Sequence, residues 1–163
     1  MGLRWMALVL ASGIAASSTA VAAERLFAGG AWAALRFGAR CDAAARPLQP
    51  ASNREKQARA GFAFEPRARR QGNFYVRLSR LPRPGSSVIL TIASQPFLLV
   101  GRGPWAWSRG TRQEAAIIAA ARTASSMRIE ARDVSGRRFA DRYLLDGAPT
   151  AIDAAAAGCA GKI

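Results

Sequence analysis

Along residues 61–100 the apolar positions recur with the period of a β-strand. In 74–79, Phe74, Val76 and Leu78 fall on one face and Tyr75, Arg77 and Ser79 on the other. Phe62 and Phe64 share a face within 61–64, and 88–92 and 97–100 are short apolar runs. Turn formers separate these runs: Gly72-Asn73, the Pro82/Pro84/Gly85 cluster, and Pro96. Runs at this spacing predict an antiparallel meander. Upstream, the large apolar residues of 31–40 are too scattered to assign. Residues 42–58, rich in Ala, Pro, Asn and charge, read as a loop.

The second half mixes periods. Thr111 and Glu114 fit a capping box opening an alanine-rich helix at about 112–124. Residues 127–132 alternate strictly, with Met127, Ile129 and Ala131 inward. A turn at 133–136 then leads to a partner strand over 138–144. Pro149 suits the first turn of a second helix at 149–157, with Gly158 placed to end it. The expected fold is strand-dominated α+β: an antiparallel β-sandwich-like meander with two short helices. There is no internal repeat and no low-complexity linker.

Residues 1–23 read as an export signal: Arg4, an apolar stretch over 6–16, and the small residues Ala20, Ala22 and Ala23 at a cleavage site. That stretch is far short of the ~20 residues of a spanning helix, so cleavage leaves no transmembrane span. The expected organisation is a signal followed by one β-rich domain over 24–163, periplasmic or secreted, in a Gram-negative bacterium. Export gives the two cysteines their meaning. In an oxidising compartment, Cys41 and Cys159 are expected to form a disulfide that brings the two ends of the domain together.

Charge narrows the choice of partner. The chain holds 24 Lys or Arg against 10 Asp or Glu, a formal charge of +14, with no His. Lacking His, it has no Ser-His or Cys-His pair, and two cysteines alone cannot close a zinc site. The acids show no spacing that sets two carboxylates across one cleft, and the only lysines, Lys56 and Lys162, lie in segments that look flexible. No catalytic residue, metal or cofactor is therefore expected, and a hydrolase is the least favoured function. The basic excess is regional: residues 36–112 hold 15 Lys or Arg against 3 Asp or Glu, whereas 113–163 hold 7 against 6. Arg67, Arg69, Arg70, Arg102 and Arg109 are the candidate anion-binding residues. Trp105 and Trp107, two apart on an extended chain, share a face and are candidates for stacking on a glycan or lipid headgroup.

The Trp32-containing segment leading to Cys41 resembles the invasion-associated locus B family of exported alphaproteobacterial proteins. So do the helix before the 127–144 hairpin and the ending Tyr143-Leu144-Leu145-Asp146-Gly147 with Ala151 and Ile152 beyond it. Ala148 stands where that family tends to carry Phe, and its members often hold more than two cysteines. The resemblance implies a periplasmic or envelope-associated β-rich protein without known catalytic residues. The expected function is non-enzymatic. It is binding of an anionic envelope component (anionic lipid or lipopolysaccharide) or a periplasmic protein through the Arg-rich region, rather than of nucleic acid. The alternative is a glycan- or headgroup-binding module built on Trp105 and Trp107. Oligomeric state is not legible.

Overall fold

The computed structural model describes residues 22–50 and 57–161. All but the last two residues of the expected export signal, together with Lys56 and Lys162, lie outside the described residues. Strands β1 (Glu24–Gly29), β2 (Trp32–Phe37), β3 (Arg40–Ala45), β4 (Arg59–Glu65) and β5 (Arg70–Arg77) form one antiparallel meander. Strands β6 (Val88–Ile92), β7 (Gln95–Arg102) and β8 (Trp105–Trp107) form a second, which returns so that β8 pairs with β5. Helix α1 (Thr111–Thr123) follows. The hairpin of β9 (Ser126–Arg132) and β10 (Arg138–Leu144) then joins β6, and helix α2 (Ala148–Cys159) comes after it. The strands make one sheet, ordered β1-β2-β3-β4-β5-β8-β7-β6-β9-β10. The strand-dominated α+β meander with two short helices is thus the observed fold.

Alternation decides what each strand buries. Trp32, Ala34, Cys41, Ala43, Phe62, Phe74, Val76, Leu90 and Ile129 all point inward into one core. The rings of Trp32, Phe62 and Phe74 meet at centroid separations of 5.8 and 5.4 Å. Burial of each such side chain contributes roughly 1.5–3 kcal/mol. Both helices lie on this inner side, α2 against β1–β4 and α1 chiefly against β5. Ten strands are too many for two short helices to cover, and the sheet coils over itself instead. The Trp32 indole donates to the Leu144 carbonyl at 2.8 Å, and the Leu48 amide to that of Arg142 at 2.8 Å. The Ser79 amide donates to the Asp141 carboxylate at 2.9 Å. This closure makes the shape sandwich-like around a single core.

Two joints hold the closure. At the first, the turn after β10 meets the turn after β1. A Cβ on Gly147 (φ +82°) would lie 2.2 Å from the Gly29 carbonyl oxygen, so only glycine fits there. At the second, Cys41 of β3 bonds Cys159 of α2, with S–S 2.12 Å and Cα–Cα 5.8 Å, across 118 residues of chain. This is the expected disulfide, and it is compatible with an extracytoplasmic location.

Three local expectations are corrected. The segment 42–58 is not a loop throughout: β3 runs to Ala45, because Ala43 and Ala45 are small enough to pack under α2. Gly110, not Thr111, is the N-cap of α1 and no side chain caps it. Glu114 turns inward, accepting from Asn73 Nδ2 and from Ser108 Oγ, the latter at 3.1 Å. Gly158 does not end α2, which runs on to Cys159. A Cβ there would lie 2.4 Å from Leu26, so glycine serves close packing rather than termination.

Candidate functional site

The helices cover one face of the sheet, and the opposite face is where unusual side chains collect. Strand β8 is three residues long and is paired on both edges, with β5 and with β7. Ala106 points inward and is fully buried, so Trp105 and Trp107 must point outward. Their rings are near-parallel, 16° apart, with centroids 6.5 Å apart. Gly103 (φ +56°) makes the turn that delivers them.

Register then sets their neighbours. One row across the sheet reads Ala33, Ala44, Gly61, Tyr75, Trp107 and Val100. The next reads Arg59, Arg77, Trp105 and Arg102. In the first row, small residues give way to large aromatic ones. A Cβ on Gly61 would sit 2.7 Å from the Tyr75 hydroxyl oxygen, so glycine makes room for that ring. The step leaves two adjoining hollows, of about 690 and 580 Å³, and Arg59 and Trp105 line both. The first is floored by alanines such as Ala33 and Ala44; the second is walled by Arg40, Arg70, Asn73, Tyr75 and Trp107.

In the second row, two guanidinium groups sit directly across from each other on paired strands, an arrangement that costs stability. Arg59 stacks over Trp105 with its Cζ 4.9 Å from the ring centroid, and Arg77 donates to the Gln57 carbonyl at 2.9 Å. Among the described residues, the acids of this face are each held by another arginine. Asp42 pairs with Arg40 at 2.9 Å, Glu65 with Arg70 at 3.2 Å and Glu130 with Arg128 at 3.1 Å. Among the described residues, Arg59 and Arg102 have no carboxylate within ion-pair distance. Arg40 also lies over the Tyr75 ring, 5.8 Å from its centroid, and Asp42 is buried. Burial raises the Asp42 carboxyl above its usual range despite Arg40. Burial, and then the Asp42 charge, pushes Tyr75 up to about 12. Tyr75 is therefore a neutral aromatic wall at any physiological pH.

The structure treats the expected site residues unequally. Trp105 and Trp107 come together on one face, and Arg102 lies cross-strand from Trp105. Arg70 walls the second hollow but is tied to Glu65. Arg67 lies in a single 3-10 turn, Pro66–Ala68, and Arg69 follows it at φ +55°; both are exposed and line neither hollow. Arg109 is exposed on the turn into α1, beside Phe97 and Gln113. Sequence reasoning missed Arg40, Arg59 and Gly61. Parity with Phe62 already puts Arg59 outward, but only the pairing of β5 with β8 brings it to Trp105.

The remaining acids serve the fold. Asp133 accepts from the Ser135 hydroxyl, the Arg137 amide and Arg80, and these contacts hold its carboxyl down at about 2. Asp141 does not pair with Arg138 or Arg142. It faces inward to the Ser79 amide, and burial raises its carboxyl above the usual range. Among the described residues, no three His, Cys, Asp or Glu side chains converge as a metal site would require. Nor, among these residues, is any helix long and apolar enough to cross a membrane. Compared with known proteins, the chain matches no family model, no curated protein and no solved structure.

Proposed function

We propose that this chain is an exported, non-enzymatic, disulfide-tied protein that binds an anionic component of the cell envelope on the outer face of its sheet. The observation that carries this reading is the Arg59–Trp105 stack between two adjoining hollows, with Arg77 and Arg102 in the same row. Of the expected arginines it includes Arg102, beside both expected tryptophans. A guanidinium fixed over an indole keeps its N–H edge free for a phosphate or carboxylate, and fixing it beforehand lowers the entropy cost of binding. The resemblance to the invasion-associated locus B family supports the same envelope setting.

The test is titration of the tryptophan fluorescence with lipopolysaccharide and with anionic vesicles. Arg59→Ala with Arg102→Ala is expected to weaken binding at least tenfold, and Arg67→Ala with Arg69→Ala to leave it unchanged. Salt of about 1 M, where screening reaches ~3 Å, is expected to abolish most of it. The second reading, a neutral glycan stacked on Trp105 and Trp107, is favoured by their near-parallel rings. Quenching by neutral oligosaccharides that survives high salt and both arginine substitutions selects it instead.

A further inference from the structure

Beside the tryptophans, the outer face breaks the rule that it follows elsewhere. An antiparallel strand with one covered face should alternate apolar and polar residues. Strand β7 instead runs Phe97, Leu98, Leu99, Val100. Phe97 and Leu99 are buried, and Leu98 and Val100 point outward. Strand β6 likewise turns Ile89 outward between the buried Val88 and Leu90. Register places Ile89 against Leu98 and Val100 against Trp107, so the four form one contiguous stripe. Each is between 36% and 50% exposed. Such a run is the composition of a strand covered on both sides, yet no described residue covers this side. The stripe lies between Arg102, beyond Val100 on β7, and the Arg128–Glu130 ion pair of β9, whose Glu130 stands across from Ile89 and whose Arg128 stands across from Thr91.

We propose that this stripe docks the protein onto an anionic lipid surface: Ile89, Leu98 and Val100 enter the acyl boundary while Arg59 and Arg102 meet headgroup phosphates. The proposal rests on the anion-binding reading above and names its ligand as lipid. Trp105 and Trp107 sit at the junction of the apolar stripe and the arginine row, the depth at which indole rings partition in a bilayer. Charge argues against the other plausible occupant, a second copy of this chain. A two-fold interface sets the same patch on itself, and here that would bring Arg59 and Arg102 of one copy toward those of the other, while the carboxylates of this face, Asp42, Glu65 and Glu130, are already paired with Arg40, Arg70 and Arg128. An anionic leaflet meets both halves of the surface at once.

The experiment compares wild type with Leu98→Ser/Val100→Ser in flotation against phosphatidylglycerol-containing vesicles, vesicles of phosphatidylcholine alone, and delipidated lipopolysaccharide polysaccharide. Both substitutions fall on exposed positions, and circular dichroism with thermal unfolding verifies that the variant is folded. The expected result is selective binding of wild type to the anionic vesicles, with a blue shift of its tryptophan emission. The variant is expected to bind those vesicles tenfold or more weakly and to lose the shift. Equal binding of variant and wild type to the vesicles overturns the stripe proposal while leaving the arginine-dependent reading standing. Equal affinity of wild type for the soluble polysaccharide and the vesicles overturns the lipid assignment. A wild-type dimer in sedimentation that the variant lacks assigns the stripe to a second copy and overturns it too. Binding to none of the three removes the anion reading together with this one.

Discussion

The disulfide offers the largest single perturbation of stability. It spans 118 residues, nearly the whole described domain, and joins the last turn of α2 to β3 near the other end of the chain. Its main thermodynamic effect falls on the unfolded state, where it removes the entropy of a very long loop. For 118 residues that contribution is about 5 kcal/mol in the chain-entropy account. A domain of this size has only about 5–15 kcal/mol in total. With a urea dependence of about 1–3 kcal/mol per molar, reduction should lower the unfolding midpoint by roughly 2 M. Helix α2 should nevertheless stay docked in the absence of denaturant, because Ala151, Ile152 and Ala155 remain buried beneath β1–β4. The assay is urea unfolding followed by circular dichroism for oxidised protein, reduced protein and Cys41→Ala/Cys159→Ala. The double variant also loses two buried sulfur atoms and should fall slightly below the reduced wild type. A midpoint shift below about 0.5 M would refute the loop-entropy argument. Loss of native secondary structure without denaturant would show that α2 depends on the bond rather than on packing.

The tyrosines give a pH dependence. Tyr75 is raised to about 12 and burial raises Tyr143 further, so the folded chain keeps protons above pH ~10 that the unfolded chain has released. Stability should therefore fall as pH rises from about 10 to 12, by roughly 2–3 kcal/mol from Tyr75 alone, and phenolate absorbance should appear together with unfolding. Phenolate absorbance rising near pH 10 in protein that is still folded contradicts this. Gly147 and Gly136 separate contact from conformation, since both have positive φ, but only a Cβ on Gly147 meets other atoms. Gly136→Ala should cost about 1 kcal/mol and Gly147→Ala clearly more than ~2, and equal losses in thermal unfolding would rule out the close-approach argument.

The fold was legible wherever one strand carried its own evidence. Phe74, Val76 and Leu78 alternate with polar neighbours, as do Met127, Ile129 and Ala131, and each of these positions is buried as the period requires. Strand β3 was not legible, because its inward residues include Ala43 and Ala45, which look no different from the alanines of a loop. Their smallness reflects what lies above them, helix α2, and no local window of sequence contains that information. The same holds for Gly158, whose glycine answers Leu26 from the opposite end of the chain. The Thr111–Glu114 capping signal failed for a related reason. Asn73 and Ser108 offer Glu114 buried donors, and these outweigh a solvent-exposed cap.

The site divides along the same line. Sequence proximity grouped Arg67, Arg69 and Arg70, yet across the turn at Pro66–Ala68 only Arg70 reaches the wall of the second hollow. Parity was the better guide, since it put Trp105 and Trp107 on one face, and they share it. What parity cannot supply is the partner strand. The order β5-β8-β7 sets Arg77 and Arg102 on either side of Trp105 and lets Arg59 reach across to its ring. A regional charge excess in sequence thus becomes a row of charge only because a three-residue strand slots between two long ones. Most of the charge excess lies between Arg36 and Arg112, and the strands of that region, from β3 to β8, are the ones whose outer face carries the row. Asp42, Glu65 and Glu130 pair with Arg40, Arg70 and Arg128, and among the described residues no carboxylate lies within ion-pair distance of Arg59 or Arg102 on either side of Trp105, the arrangement that the proposed anion site requires.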